Sequence, residues 1–555
     1  MATRSHFPDL ELPQCNILEY LFPAGSSEDG EPIWINSENP AHSLSPKSLL
    51  QHVKSTAAGF QKLGIKSGDV VSVFTPNHVF VPVVYLATVA SGAIFTGFNP
   101  AYTVSELVHL IKDSEMKVMF VHHTLVTVAL EAAREVGFDK ASVILFPDTE
   151  SVGTQGDLIH WKNYFDYSEE AAAWKWHSYT PAQAATTVAT INYSSGTTGL
   201  PKGVMVSHSS IIANLEQTMF IRYHLTPTAR SQERWVGFLP LYHAYGQLYT
   251  ILMACKLRIQ VYIMESFHFE KFLSVIQKFG ITNLQIAPPI LIMLDKRAET
   301  KMYDLSSLRE VVCGAAPIPL DLQVRVAKRF NLKFTIGWGM TELVCTGTSI
   351  PGGMIETTGS VGFQLPNTMV KLVDDDDMVV NTGERGEILY RGPNVCLGYW
   401  KNTAASEELL GTDGWLRTGD IAIRNEKGLY WIVDRKKELI KVNGLQVAPA
   451  ELEGRLLENE HVADAAVVGI TRQGNEYPRA YIVLKPSSQA IVTGAMLIES
   501  FNSTVAKHKH LRGGIAFVDQ IPKLASGKIQ RKVLREWAKR DTPSITAGSF
   551  LHGRL

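Results

Sequence analysis

The segment Tyr193–Val204 packs three glycines, four Ser/Thr hydroxyls and a lysine between two apolar runs, Val188–Tyr193 and Val204–Val206. A tight loop of this composition between two strands turns backbone N–H groups and hydroxyls toward phosphate oxygens, and Lys202 adds a compact cation. Its spacing is neither G-x-x-x-x-G-K-[ST] nor G-x-G-x-x-G, so it belongs to neither of those two phosphate-binding loops. The candidate phosphate ligands are Ser194, Ser195, Gly196, Thr197, Thr198, Gly199 and Lys202. Three other places join residue types that suit the same chemistry. Gly337–Glu342 combines two glycines with an aromatic ring, a hydroxyl and a carboxylate. Asp420 follows a Thr-Gly pair, and Lys528 follows a Ser-Gly pair near the chain's end. A histidine, His243, lies in the otherwise uncharged stretch Leu239–Gly246.

Positioning these groups requires layered α/β structure. From about Ser48 to Leu320 helical and strand patterns alternate, which predicts largely parallel sheets. Leu49–Leu63 reads as an amphipathic helix, Val70–Thr75 as a buried strand, Val81–Ala90 and Ser105–Ser114 as helices, and Val118–Val121 as a strand. Val361–Trp431 has short, closely spaced strands (Gly386–Tyr390, Gly428–Val433), which predicts a small β-rich subdomain. The acidic run Asp374–Asp377 reads as a solvated hairpin turn. Past the charged stretch Asp434–Glu438, Pro449 opens a helix with Leu452, Leu456 and Leu457 on its apolar face, and strands follow at Val462–Val468 and Ala480–Leu484. The expected fold class is therefore α/β: a large multi-subdomain N-terminal body over residues 1–434 and a small C-terminal α+β domain over residues 435–555.

Composition narrows the function classes. The 555 residues include 53 basic and 54 acidic side chains, a formal charge of −1. With no basic excess, a small-molecule partner is expected rather than a nucleic acid. The five cysteines are scattered with no C-x-x-C pair, which suits buried thiols in a reducing compartment rather than a zinc site or disulfide framework. The first residues lack the apolar run of a secretory signal. The most apolar stretch, Val79–Phe98, is broken by Pro82 and reads as a buried helix, so no membrane span is expected. Gly553-Arg554-Leu555 loosely follows the small–basic–leucine pattern of a peroxisomal address, leaving cytoplasmic and peroxisomal locations both open.

The loop Ser194–Val204 resembles the phosphate loop of the adenylate-forming superfamily: acyl-CoA synthetases, 4-coumarate–CoA ligases, luciferases and peptide-synthetase adenylation domains. Six further segments follow in that superfamily's order. They are Gly314–Pro317, Gly337–Glu342, Tyr390–Pro393 with Gly398-Tyr399, Thr418–Asp420, Asp434-Arg435 through Lys441–Gly444, and Pro522–Lys528. The resemblance runs from about Ile17 to Lys539 and is strongest to 4-coumarate–CoA ligase-like enzymes.

The resemblance implies an acid–thiol ligase that uses ATP, Mg²⁺ and coenzyme A. The acid is first converted to its acyl-adenylate, and the acyl group then passes to CoA. It implies that Trp338, where the family more often has Tyr, stacks on adenine, that Thr341 binds phosphate and that Glu342 holds Mg²⁺. Gly314, Ala315, Ala316, Gly337, Gly339 and Met340 line the nucleotide and acyl sites. Asp420 meets the ribose, and Arg435 supports ribose or phosphate. Lys528 bridges carboxylate and α-phosphate, and Lys437 is the hinge of a mobile C-terminal domain. Lys441 and Gln446 approach the nucleotide, and Gly444 with Leu445 approach the pantetheine arm in a second closed form. His243 borders the acyl carboxylate, and Ala244, Tyr245, Gly314, Gly339 and Cys345 wall the acyl pocket.

The stretch Leu239–Leu257 contains no Asp or Glu. A buried ammonium would want one, so an aryl (cinnamic-type) or medium-chain acid is expected rather than an amino acid. The apolar segment Leu284–Leu294 reads either as a pocket wall or as plain core. Transfer to a carrier-protein thiol, luciferase-like oxidation and a non-catalytic nucleotide-binding role stay open, as does a monomeric or weakly homo-oligomeric state.

Overall fold

The structure is a computed structural model that describes residues 2–25, 29–148, 157–165, 168–194, 201–225, 233–316, 318, 320–442, 445–472, 475–489, 491–524 and 527–541. Two large sheets form the body. In the first, Val188–Ser194, Ile94–Phe98, Val70–Phe74, Val118–Val121 and Val143–Leu145 lie side by side and parallel. Lys202–Ser207 and Gly398–Tyr399 extend it as antiparallel strands. Strands such as Val70–Phe74 and Val118–Val121 are buried along their whole length, as strands covered by helices on both faces must be.

The second sheet has nine strands. Its parallel centre runs through Lys333–Trp338, Glu310–Cys313, Asn283–Ile286, Arg234–Gly237, Gln260–Ile263 and Trp34–Asn36. The expected β-rich subdomain is an antiparallel sheet of Met369–Val373, Arg385–Arg391, Leu416–Arg424 and Tyr430–Arg435. Residues Thr3–Arg4 close its edge, an addition the local pattern does not announce. The C-terminal domain is built on the hairpin Val462–Arg472/Asn475–Leu484, joined by Ile515–Phe517 and flanked by helices Pro449–Glu458, Gly494–Asn502 and Arg531–Asp541.

Most expected elements lie where the pattern puts them: Pro46–Lys62, Val81–Ala90 and Val104–Ser114 are helices, and Pro449 opens Pro449–Glu458. Val79–Phe98 divides into that all-buried helix and the strand Ile94–Phe98, and among the described residues no helix is long and apolar enough to cross a membrane. Leu284–Leu294 resolves to core: the strand Asn283–Ile286 and helix Pro288–Lys296 bury Leu284, Ile286, Leu291 and Leu294 against Phe272 and Val311. All five cysteines are unpaired thiols.

The acidic run does form a turn, with Asp374 Oδ1 accepting the N–H groups of Asp376 (3.0 Å) and Met378 (2.9 Å). It is not merely solvated, however. Asp377 takes a two-pronged hydrogen bond from Arg417, and Asp375 meets Lys436 at 3.1 Å.

The N-terminal helix Ile17–Leu21 is fastened to the body by a buried imidazole. His208 Nδ1 accepts the Ile17 N–H at 3.2 Å, and burial lowers the His208 pKa to about 3. The unfolded chain takes up a proton here below about pH 6.5, whereas the folded chain resists it. Stability from this site is therefore complete above pH 6.5 and lost as the pH falls toward 4. In His208→Asn, which keeps an acceptor but cannot titrate, Tm measured by scanning fluorimetry is expected to fall less steeply between pH 6.5 and 4 than in the wild type.

Candidate active site

One large cavity, about 830 Å³, opens where the two big sheets, the β-rich sheet and the C-terminal domain meet. Of the residues singled out from the sequence, Ser194, Lys202, His243, Ala244, Tyr245, Gly314 and Ala315 reach its wall. Gly337, Trp338, Gly339, Met340, Thr341, Glu342, Cys345, Arg435, Lys437 and Lys528 complete that wall. They come from strand ends and turns more than 300 residues apart in the chain.

The turn after the strand Lys333–Trp338 is tightly built. A Cβ on Gly339 would sit 1.7 Å from the Cys345 carbonyl oxygen, so no larger residue fits. Val344 holds φ +66°, a strained setting for a β-branched residue, and Ala315 across the cavity holds φ +71°. This turn presents Glu342, which is 7% exposed and accepts the Tyr399 hydroxyl on Oε1 at 2.8 Å. Burial, then the Glu342 charge, raises the Tyr399 pKa, so the phenol remains a donor, and the Lys202 ammonium lies 4.9 Å above its ring.

Trp338 packs against Gly347, where a Cβ would lie 2.6 Å from the ring, and its indole N–H donates to Asp420 Oδ2 at 2.8 Å. Asp420 Oδ1 pairs with Arg435 Nε at 3.0 Å. Asp420 thus stands behind the cavity wall, with both oxygens already engaged by protein donors.

His243 begins a short helix that continues as the π-helix Gln247–Met253. Its Nδ1 accepts the Tyr245 N–H at 3.3 Å. Burial and the nearby Lys528 charge lower its pKa to about 4, so the ring is neutral at physiological pH. The segment is held from outside by Asn77, which donates to Leu239 O and accepts from Leu241 N, each at 3.0 Å. Beyond His243 the wall is aromatic. Tyr245 and Tyr249 pack edge to face at 5.1 Å, and burial pushes the Cys345 thiol up to about 12, keeping it protonated.

Lys528 enters from the C-terminal domain on a hairpin closed by Leu524 N–H to Lys528 O at 2.9 Å. Burial and then the Arg435 charge lower its pKa. Gly527, at φ +81°, makes this docking possible, since a Cβ there would lie 2.9 Å from the Pro289 ring.

The hinge candidate Lys437 lies between two clamps. Lys436 pairs with Glu387 at 3.0 Å and Asp375 at 3.1 Å, tying it to the β-rich sheet. Glu438 pairs at 3.2 Å with Arg531 of the C-terminal domain.

Ala316 lies beside the wall without lining it. Lys441, Gln446 and Leu445 sit away from the cavity, exposed on the hairpin Ile440–Val442/Leu445–Val447, where Lys441 and Gln446 are cross-strand partners. Ser195, Gly196, Thr197, Thr198, Gly199 and Gly444, and the tail Gly553-Arg554-Leu555, lie outside the described residues. Tyr399, Asn77 and the Lys436 clamp were missed as contributors. Only Tyr399 carried a signal, through the Gly398-Tyr399 motif.

If the Gly527 approach matters, Gly527→Ala should cost about 1–2 kcal/mol in this closed arrangement. ATP–pyrophosphate exchange is then expected to slow about tenfold with Tm nearly unchanged. An unaltered exchange rate would show that the docking does not need the glycine.

Comparison with known proteins agrees with this architecture. The AMP-binding enzyme family matches residues 29–400, and the AMP-binding enzyme C-terminal domain matches residues 451–528. An acyl-CoA synthetase of Alternaria alternata, ACTT5, is 36% identical over 91% of this chain and 87% of its own length. A probable 4-coumarate–CoA ligase of Dictyostelium discoideum is 36% identical over 87% of this chain and 88% of its own. The crystal structure of the anthranilate CoA ligase AuaEII with anthranoyl-AMP shares the fold, with a TM-score of 0.83 at 24% identity over 96% of this chain and 99% of that one. A mixed α/β body with a smaller C-terminal domain, a lysine delivered from that domain and family matches along most of its length place this chain in the AMP-binding enzyme family, as an AMP-forming acid–CoA ligase.

Proposed function

We propose that the chain activates an aryl (cinnamic-type) or medium-chain carboxylic acid with ATP and passes the acyl group from AMP to the thiol of coenzyme A. The observation that carries this reading is the placement of Lys528, from the C-terminal domain, in one cavity with His243, Lys202 and Arg435. In the first step the acid's carboxylate attacks the α-phosphorus and pyrophosphate leaves. A desolvated ammonium between those two anions offsets their repulsion and the charge that develops. Ser194, Lys202 and Thr341 hold the phosphates, together with the loop residues 195–199. Trp338 offers adenine its ring, and the ribose meets Arg435 at the wall, with Asp420 as the carboxylate behind it whose remaining lone pairs can accept a ribose hydroxyl.

Glu342 is suited to Mg²⁺: Tyr399 engages Oε1, leaving Oε2 for a hard cation. That ion, when bound, neutralises phosphate charge. Neutral His243 borders the reacting carboxylate without adding a further positive charge to those of Lys202, Arg435 and Lys528. The aromatic lining at Tyr245 and Tyr249 supports a flat or apolar acyl group, as does the likeness to a probable 4-coumarate–CoA ligase.

For the second step, rotation about Lys437 withdraws Lys528 and brings the hairpin bearing Lys441, Leu445 and Gln446, with Gly444, toward the nucleotide and pantetheine. The clamps at Lys436 and Glu438 support a pivot at this one residue, two to three residues beyond the expected boundary between 434 and 435. The Gly-Arg-Leu tripeptide, together with the likeness to a peroxisomal OPC-8:0-CoA ligase of Arabidopsis thaliana, supports a peroxisomal location, with a cytoplasmic one as the alternative reading.

The test is mass-spectrometric product analysis with MgATP, CoA and pooled aryl and aliphatic acids. AMP and one dominant acyl-CoA are expected, falling about a hundredfold or more in Lys528→Ala. AMP formation without any acyl-CoA would favour a carrier-protein thiol as acceptor. No AMP from any acid would overturn the reading.

A further inference from the structure

A second group of ligating side chains lies away from the active-site cavity. The parallel strands Val70–Phe74, Val118–Val121 and Val143–Leu145 are neighbours in the first sheet. The segments leaving their carboxyl ends carry His78, His122 with His123, and Asp148. The crevice outside the carboxyl ends of parallel strands is where α/β sheets gather ligands.

One ligand atom from each of His122, His123 and Asp148 lies within 4.8 Å of the others, and His122 Nε2 is 3.8 Å from Asp148 Oδ1. His122 is 1% exposed, and its Nδ1 shares a hydrogen with the Thr124 hydroxyl at 2.8 Å. Nδ1 also accepts the Thr124 backbone N–H at 3.5 Å, so in the metal-free chain Nε2 carries the ring proton toward Asp148; a metal ion on Nε2 would displace that proton, with Nδ1 then donating to the Thr124 hydroxyl. His123 Nδ1 is buried without a hydrogen-bond partner. Behind the cluster His78, 2% exposed, has neither ring nitrogen bonded, and its ring centre is 6.1 Å from that of His122.

Buried polar atoms are nearly always paired, so the orphaned His123 imidazole beside His122 and a carboxylate calls for an explanation. A single cation held by these three side chains supplies one. Imidazole nitrogens with one carboxylate suit zinc and its transition-metal neighbours rather than Mg²⁺ or Ca²⁺. Tetrahedral zinc needs ligand atoms about 3.4 Å apart, so closing the cluster takes side-chain shifts of about 1 Å.

We propose that His122, His123 and Asp148 form a binding site for a divalent transition-metal ion of the zinc class, with the buried His78 ring packed behind it. The ion ties together the ends of two adjacent strands, Val118–Val121 and Val143–Leu145. Its role is structural, separate from Mg²⁺ at Glu342.

The test uses the untagged full-length chain, stripped with a chelator and titrated with Zn²⁺ against a chromophoric competitor. Metal content is measured by inductively coupled plasma mass spectrometry, and Co²⁺ serves as a spectroscopic substitute. One Zn²⁺ per chain, a higher Tm with zinc and visible Co²⁺ ligand-field bands are expected. His123→Gln and Asp148→Asn should each weaken zinc about tenfold or more and remove the Co²⁺ bands. The metal-free Tm shows whether each variant is folded. Thr124→Val, which touches no ligand atom of the ion, should weaken binding less than either. Absence of stoichiometric zinc in the wild type, or equal affinity in folded His123→Gln and Asp148→Asn, would overturn the site.

Discussion

A carboxylate almost removed from water organises the cavity. Asp420 is 4% exposed, and a buried charge of this kind persists only when donors surround it. Here the donors come from two directions. Trp338 reaches across from the large parallel sheet, and Arg435 lies opposite on the neighbouring strand of the β-rich sheet. Meeting that one charge therefore fixes how the two sheets sit against each other. It also fixes where the strand Tyr430–Arg435 delivers the chain into the hinge.

From that anchor the charges alternate along the connection. Lys436 is bound back to the body through Glu387 and Asp375, whereas Glu438 is bound forward through Arg531, which also grips Glu453 of the helix Pro449–Glu458. The backbone on either side is thereby held to a different domain. Lys528, at the far end of the C-terminal domain, is carried into a site already holding Arg435 and Lys202. Its ammonium is disfavoured there by burial and by like charge, which makes an incoming pair of anions a more welcome neighbour than water.

Much of this was legible because chemistry and periodicity pointed the same way. The glycine-rich loop lay between two apolar strands, Pro449 opened a helix, and Val81–Ala90 was too densely buried in type to be anything but core. What escaped notice depends on partners distant in sequence. Nothing local to Asp374–Asp377 shows that Asp375 faces Lys436, and Asn77 has no motif to tie it to Leu239. Asp420 was read as a ribose ligand; the indole N–H that occupies it becomes visible only once Trp338 is placed. Leu284–Leu294 stayed undecided between wall and core because an apolar strand and helix have the same composition in either role. Lys441, Gln446 and Leu445 were assigned by motif alone, and their exposed hairpin has no contact with the cavity in this arrangement.

The scatter of the site along the chain has a consequence for how the protein comes into being. Ser194 leaves the ribosome about 330 residues before Lys528, a wait of roughly 15–70 s at ordinary elongation speeds. The rest of the body is made within that interval, and its last wall residues near Arg435 precede Lys528 by 93 residues, roughly 5–20 s. The ligase therefore has the body's share of its pocket in hand before Lys528 is made, and the residue that meets the reacting anions is added last.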